Sequence, residues 1–230
     1  MKFAIIGATG NVGRKTIDLL EKSKLDIDQL FLVASKKSSG KKIKFKGKDQ
    51  TVIGLENFNF DKADITFFAA GSSVAEKYAK EASKKTIVID NSKYFRMNKD
   101  VPLIVPEVNP EDIKNHKNII ANPNCSTIQM VLALKPLHEN FNIKRVIVST
   151  YQAVSGAGKA AMDELINQTK DFLNKKKIKP ENFTKQIAFN LIPHIDVFVE
   201  DGYTKEEWKM ENETKKILSE NIKVSATCVR

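Results

Sequence analysis

A glycine-rich turn near the N-terminus is the sequence feature that most constrains the fold. The apolar segment Lys2–Gly7 predicts a strand, glycines recur at positions 7, 10 and 13, and the residues that follow have helical spacing. A turn of this kind between a strand and a helix lets backbone N–H groups approach a pyrophosphate at the helix N-terminus. The spacing G-x-x-G-x-x-G is a variant of the usual fingerprint, so a turn that only packs the helix on the strand is the alternative.

Strands alternate with helices in the part of the chain that follows. Apolar runs at Leu30–Ala34, Ile65–Ala70 and Thr86–Asp90 predict strands, and Val74–Ala82 predicts a helix. This alternation predicts an α/β fold with a Rossmann-type, doubly wound parallel sheet. We expect this nucleotide-binding domain to cover residues 1–128 and a second domain, a partial α+β unit, to cover residues 129–230.

The segment after the second predicted strand bears on the choice of dinucleotide. An NAD-binding unit usually has an acidic residue here for the ribose 2′-hydroxyl. This chain instead has Lys36, Lys37 and Ser38. Ammonium and hydroxyl groups suit a 2′-phosphate, so the sequence favours NADP over NAD, with an exposed basic loop as the alternative.

Cys125 follows a tight polar turn. Asn122-Pro123-Asn124 predicts the turn, and the apolar spacing after residue 128 predicts a helix. Cys125 is therefore expected at or next to a helix N-terminus, where unpaired N–H groups and the helix dipole favour the nucleophilic thiolate. The alternative is a buried structural cysteine. The polar turn favours the nucleophile.

The net charge of +10 raises the question of nucleic-acid binding. The basic residues are mostly lysines in scattered short runs, without aromatic interleaving or a recognition motif, so we expect a solvated surface and no nucleic-acid partner. Arginine occurs only at positions 14, 96, 145 and 230. Because Arg96 follows a predicted strand end, it is a candidate for a planar, bidentate contact with an anion; a surface salt bridge is the alternative.

The lengths of the apolar runs and the number of cysteines bear on the cellular location of the protein. No apolar run approaches the length needed to span a membrane, and Cys125 and Cys228 are the only cysteines. This predicts no disulfide framework, no membrane partner and a cytoplasmic location. We expect no metal site.

The second half of the chain has fewer diagnostic patterns. We predict a strand at Arg145–Tyr151, a helix at about Lys159–Asn174, a loop at Lys175–Lys185, a helix from a capping box at Thr204–Glu207 to about Ser219, and a strand at Val224–Arg230. Glu206 and Lys209 would share one helix face, and periodicity alone favours an ordinary surface ion pair for them.

Taken in order, these motifs resemble the aspartate-semialdehyde dehydrogenase family along the whole chain. The matching segments are Gly7–Gly13, Ala34–Lys41, Ile89–Ser92 with Arg96, Val105–Asn109, Asn122–Thr127, Gln152–Gly158, Gly202–Lys209 with Glu213 and Thr214, and Thr227–Arg230. N-acetyl-glutamyl-phosphate reductases, which share the fold, carry a different sequence around the cysteine. They therefore match this chain less well than the aspartate-semialdehyde dehydrogenases do.

The resemblance implies a reaction and a set of roles. L-aspartyl 4-phosphate and NADPH would give L-aspartate 4-semialdehyde, NADP and phosphate, a step toward lysine, threonine, methionine and diaminopimelate. Cys125 would form a thioacyl intermediate and Gln152 would position the acyl group. Arg96 and Lys209 would bind phosphate, Glu206 the substrate amino group, and Arg230 its carboxylate. NADP would contact Gly7, Thr9, Gly10, Asn11, Val12, Gly13, Lys37, Ser38, Ser155 and Gly156. The second domain would bind substrate and form a homodimer.

Two departures from the family pattern leave alternatives open. Lys37 stands where many relatives have arginine, which would weaken discrimination for NADP. The family's general-base histidine would lie beyond Arg230, and His116, His138 and His194 do not replace it. A second interpretation is therefore a C-terminally truncated form that binds NADP but turns over slowly or not at all. A third, from another class, is a non-enzymatic basic binding module.

Overall fold

A computed structural model describes residues 1–230 and divides them into two units, Met1–Ile128 and Gln129–Arg230. The elements of the first unit are the strands β1 (Lys2–Ile6), β2 (Gln29–Ala34), β3 (Lys42–Phe45), β4 (Lys48–Thr51), β5 (Ile53–Gly54), β6 (Ile65–Phe68), β7 (Ile87–Asp90) and β8 (Ile119–Ala121), and the helices α1 (Asn11–Lys22) and α2 (Ser72–Ala82). The helix α3 (Cys125–Phe141) begins in this unit.

The main sheet of the first unit is six-stranded and parallel. Its strand order is β5-β2-β1-β6-β7-β8, and each neighbouring pair is parallel. The chain builds outward from β1 in one direction and then in the other, so the order reverses between β1 and β6. This reversal is the switch point at which doubly wound sheets bind ligands. The predicted Rossmann-type sheet is confirmed.

The core of this unit forms because the strands are apolar on both faces. Ile5, Ile6 and Val33 are fully buried, as expected for parallel strands covered on both sides. Helix α1 buries Ile17 and Leu20 against the sheet, at the spacing of one helical face.

The antiparallel hairpin β3–β4 was not predicted from the sequence. Ile43 and Phe45 alternate with exposed lysines and bury their side chains in the same core as α1. The two-residue turn has φ of 48° at Lys46 and 75° at Gly47, as the twisted turns of tight hairpins require.

The second unit contains β9 (Arg145–Tyr151), α4 (Lys159–Leu173), α5 (Lys205–Ile217) and β10 (Lys223–Val229). The two strands pair in parallel along their whole length. The predicted capping box at Thr204 and Glu207 is confirmed. The strand β10 ends one residue before the predicted end, so Arg230 follows the strand.

Side chains of α4 hold the predicted loop after it. The carboxylate of Glu164 accepts hydrogen bonds from the backbone N–H groups of Glu181 and Asn182, and Gln168 Oε1 accepts from those of Ile187 and Ala188. Both polar side chains are buried. Two side chains of α4 thus satisfy four backbone donors of the segment that follows the helix.

None of the helices is both long and apolar enough to cross a membrane.

The close packing of the glycine turn leads to a stability prediction. A Cβ atom at Gly13 would overlap the carbonyl oxygen of Gly7 and lie 2.8 Å from Ala8 Cα, and both are backbone atoms. We expect Gly13→Ala to destabilise the protein by about 1–3 kcal/mol, because a packed backbone cannot yield. Thermal unfolding followed by circular dichroism measures the loss.

Gly10→Ala is the matched control for Gly13→Ala, since its Cβ would lie 3.4 Å from the Gly7 oxygen, an ordinary contact. A smaller loss of stability in Gly13→Ala than in Gly10→Ala would contradict this packing argument.

Candidate active site

Segments with predicted roles follow three strands of the main sheet. The glycine turn follows β1, the loop that carries Arg96 follows β7, and the cysteine turn follows β8. The carboxyl ends of parallel strands lie at the same edge of a sheet, so all three segments begin at one edge of this sheet.

The glycine turn leaves the N-terminus of α1 open to a ligand. Gly7 has φ of 92°, and the N–H groups of Gly7 and Ala8 both donate to the carbonyl of Val33 at the end of β2. Gly10 is the N-cap residue of α1 and supplies no side-chain cap, and no acidic residue lies in the first turn. The helix N-terminus can therefore receive an anionic group at its backbone donors.

The structure brings two of the predicted NADP contacts together. Thr9 lies in the glycine turn and Ser38 in a short 3₁₀ helix after β2, and the Thr9 hydroxyl donates to Ser38 Oγ at 3.5 Å. Lys37 lies beside Ser38 in the same short helix and is exposed. Asn11 and Val12 form the first turn of α1.

A buried aspartate that the sequence analysis did not assign organises the Arg96 loop. Asp90 ends β7, and its carboxylate accepts the Ser92 N–H at 3.0 Å and the Ser92 hydroxyl at 2.7 Å. The Arg96 guanidinium donates to the carbonyls of Ser92 at 3.1 Å and Asn91 at 3.3 Å. Burial raises the pKa of Asp90, although the Ser92 donors and the Arg96 charge act against it. An acidic residue at the end of an apolar strand was the available sequence signal.

Cys125 is the first residue of α3 and is exposed, which confirms its predicted position at a helix start. Asn124 Oδ1 accepts the Ser126 N–H at 2.9 Å and so caps the helix. The Asn122 amide donates to Asn91 Oδ1 at 2.6 Å. The turn that carries the cysteine is therefore bonded directly to the loop that carries Arg96.

In the second unit, one hydrogen-bonded network joins three of the predicted residues. Gln152 Nε2 donates to Glu206 Oε1 at 3.1 Å, and Lys209 Nζ lies 2.9 Å from Glu206 Oε2. Lys209 Nζ also lies 2.9 Å from Asp196 Oδ2. Thr150 Oγ1 donates to Gln152 Oε1 and orients that amide.

The pairing of Glu206 and Lys209 is not an ordinary surface pair. The side chains are 8% and 12% exposed, so the interpretation from periodicity alone was wrong: tertiary packing covers this face of α5. Burial acts to lower the pKa of Lys209, but the carboxylates of Glu206 and Asp196 outweigh it and raise the pKa. Lys209 is therefore held as an ammonium.

Arg230 forms backbone hydrogen bonds with Ile192, and its side chain packs on a glycine. Its N–H and carbonyl pair with those of Ile192 at 2.9 and 2.6 Å. A Cβ atom added at Gly156 would lie 3.0 Å from Arg230 Nη2, so glycine gives the guanidinium room. The Nε of Arg230 is buried without an acceptor. Gly156, predicted as an NADP contact, thus also seats the Arg230 guanidinium. Ser155 lies beside it and is exposed.

Two of the three histidines have local contacts. His194 Nε2 lies 3.3 Å from Thr184 Oγ1 and its ring packs on Phe198, while His116 Nδ1 accepts the Asn118 N–H.

Comparison with known proteins matches both units to models of one family. Residues 2–116 match the model described as "Semialdehyde dehydrogenase, NAD binding domain", and residues 134–230 match "Semialdehyde dehydrogenase, dimerisation domain". The aspartate-semialdehyde dehydrogenase of Aquifex aeolicus is 57% identical over 235 residues, covering 100% of this chain and 69% of that protein. The chain belongs to the aspartate-semialdehyde dehydrogenase family. The enzyme of Campylobacter jejuni is 55% identical, and the match covers 100% of this chain and 69% of that protein.

Solved structures of aspartate-semialdehyde dehydrogenases have the same fold. Enzyme II of Vibrio cholerae matches with a TM-score of 0.97 and 49% identity over 100% of this chain and 70% of that one. The Candida albicans enzyme, solved with NADP, matches with a TM-score of 0.71 and 33% identity. This match covers 100% of this chain and 67% of that one. The resemblance recognised in the sequence is thereby confirmed, and the protein is an oxidoreductase of this family.

The environments of the two cysteines predict different reactivity. Cys125 is exposed at a helix start, whereas Cys228 is buried and burial raises its pKa to about 11. We expect iodoacetamide to label Cys125 at least about 100-fold faster near neutral pH, because the thiolate is the reacting form. Mass spectrometry of peptides along a time course measures both rates.

Cys125→Ser is the control for this labelling and should leave only the slow reaction. Equal labelling of the two cysteines in the native protein would contradict the assignment of Cys125 as the reactive thiol.

Proposed function

We propose that this protein catalyses the NADPH-dependent reductive dephosphorylation of L-aspartyl 4-phosphate to L-aspartate 4-semialdehyde. One observation carries the proposal: the exposed Cys125 begins a helix at the sheet edge from which the glycine turn and the Arg96 loop also leave. A nucleophile, a dinucleotide site and a cation at one sheet edge suit the reduction of an acyl phosphate. The family membership supports the same reaction.

The residues of the first unit fit NADP. Gly7 and Gly13 have no room for side chains because protein backbone packs against them, so the turn stays tight. The start of α1, which has no side-chain cap, would receive the pyrophosphate. Lys37 and Ser38 would bind the 2′-phosphate. NADPH, when bound, supplies the hydride that reduces the acyl carbon.

Cys125 would open the reaction as a thiolate. Its sulfur forms a bond to the acyl carbon, and the bond from that carbon to the phosphate oxygen breaks, with the electron pair leaving on phosphate. The cations of Arg96 and Lys209 would stabilise the departing phosphate. After reduction, the carbon–sulfur bond breaks, which releases the aldehyde and returns the thiolate.

The second unit would recognise the amino-acid part of the substrate. The buried carboxylate of Glu206 suits the substrate ammonium, and the Nε of Arg230, buried without an acceptor, suits its carboxylate. Gln152, fixed by Thr150 and Glu206, would orient the acyl group. An N-acetylated substrate has no charge on this nitrogen, so Glu206 favours the free amino acid.

We also propose a homodimer formed through the second unit. The match to a dimerisation-domain model supports it. Ile147 and Tyr151 on β9 are 73% and 76% exposed, and apolar side chains on a sheet face are typical of protein interfaces.

The reaction is tested with purified protein in the direction of aldehyde oxidation. We expect NADPH to form from L-aspartate 4-semialdehyde and NADP only when phosphate is present. Cys125→Ser should lower kcat by at least about 10³-fold because the covalent step is lost. Absorbance of NADPH measures the rate.

Cys228→Ala is the matched control for Cys125→Ser and should retain activity, since Cys228 is a buried thiol of the core. NADP binding without turnover would support the truncated form instead. Salt-sensitive DNA binding without NADP binding would support the basic module.

The geometry of Arg230 predicts a selective binding defect. Arg230→Lys should raise KM for L-aspartate 4-semialdehyde about tenfold or more, because lysine cannot make the planar two-bond contact with a carboxylate. KM for NADP should change little. Steady-state kinetics with each substrate varied in turn measures both constants.

Arg145→Lys, at an exposed position at the start of β9, is the control for Arg230→Lys. An unchanged KM for the aldehyde in Arg230→Lys would remove Arg230 from the carboxylate site.

A further inference from the structure

The backbone of Gln152 is fixed at the end of the two-stranded sheet of the second unit. Its N–H donates to the carbonyl of Val229 at 2.8 Å, so the pairing of β9 with β10 continues one residue past β9. Side chains two residues apart in an extended chain point to the same side of it. Thr150 therefore lies beside Gln152, and its hydroxyl donates to Gln152 Oε1 at 2.9 Å.

The two ends of the Gln152 amide have different partners. Nε2 donates to Glu206 Oε1 at 3.1 Å, and a carboxylate can only accept, so this contact fixes which end of the amide is nitrogen. At the other end, Oε1 accepts from Thr150. The amide nitrogen carries two N–H groups, and Glu206 takes one of them. Gln152 is half-buried, and its second side-chain N–H has no acceptor in the protein.

The neighbour of Thr150 on β10 does not compete for the hydroxyl proton. The register places Thr150 opposite Cys228. Burial raises the pKa of Cys228 to about 11, although the Thr150 hydroxyl acts against this rise. Near neutral pH the sulfur is therefore a protonated thiol, which is a weak acceptor, and it donates to Met210 Sδ at 3.6 Å. The amide oxygen of Gln152 is the stronger acceptor of the two.

We propose that Thr150 is a positioning residue for the acyl group: its hydroxyl holds Gln152 Oε1 and so keeps the second Nε2 N–H in place to donate to the acyl or aldehyde oxygen of the substrate. This inference rests on the proposed function, in which Gln152 orients the acyl group. That oxygen gains negative charge when the thiolate adds to its carbon, so it needs a donor. Without the hydroxyl, a single bond to Glu206 would hold the amide, which could then turn about its soft terminal torsion.

Thr150→Val removes the hydroxyl and retains a branched side chain of nearly the same size. We expect the Kd for L-aspartate 4-semialdehyde, measured by isothermal titration calorimetry on the full chain, to rise about three- to tenfold, because the amide donor is no longer held in place. The Kd for inorganic phosphate should not change, since Arg96 and Lys209 would bind it. Thr150→Ser retains the hydroxyl and should recover most of the lost affinity.

Two further measurements complete the test. Thr227→Val is the matched control, because Thr227 is an exposed residue of β10 that lies opposite Ser149, on the other face of the sheet from Cys228. It should leave both Kd values unchanged. In a Gln152→Ala background, Thr150→Val should have no further effect, because Thr150 acts only through the amide.

The outcomes separate this inference from the proposed function. An unchanged affinity for L-aspartate 4-semialdehyde in Thr150→Val would overturn the inference alone, as would a loss that Thr150→Ser does not recover. A further loss in the Gln152→Ala background would also overturn it, since Thr150 would then act by another route. If the native protein does not bind L-aspartate 4-semialdehyde, the proposed function fails and the inference fails with it.

Discussion

The parallel pairing of β7 with β8 is the constraint on which the candidate site of the first unit depends. Its register places Asp90 opposite Ala121, so the chain leaves both strands side by side. The Asn122 N–H donates to the Asp90 carbonyl, and the side-chain amides of Asn122 and Asn91 bond to each other. A shift in register would separate the cysteine turn from the Arg96 loop, because both are bonded through residues next to the strand ends.

In the second unit, the carboxylate of Glu207 positions the candidate site residues, as the pairing of β7 with β8 does in the first unit. One of its carboxylate oxygens accepts the Thr204 N–H in the capping box, and the other accepts the Cys228 N–H of β10 at 3.0 Å. The start of α5 is thereby fixed against the end of β10. Glu206 and Lys209 lie just after this start and Arg230 just after this end, so one buried carboxylate aligns groups from two elements.

Local patterns predicted the elements and several positions within them. The Asn-Pro-Asn turn predicted Cys125 at a helix start, and Thr204 with Glu207 predicted the cap, because these are contacts between neighbours in the chain. Asp196 and the seat of Arg230 on Gly156 were not predictable, because they join residues far apart in the sequence. The hairpin β3–β4 escaped prediction because its buried residues are few among lysines, although the Lys46-Gly47 turn was a usable signal.

The buried charges of the second unit are better explained by recognition than by stability. Burying an ion pair costs desolvation that its attraction barely repays, and apolar residues of the same size would often serve the fold equally well. In this unit the Lys209 ammonium contacts two carboxylates, those of Glu206 and Asp196, so its position is fixed from two sides. Under the proposed function, the buried carboxylate of Glu206 would distinguish a free amino acid from its acylated or deaminated relatives.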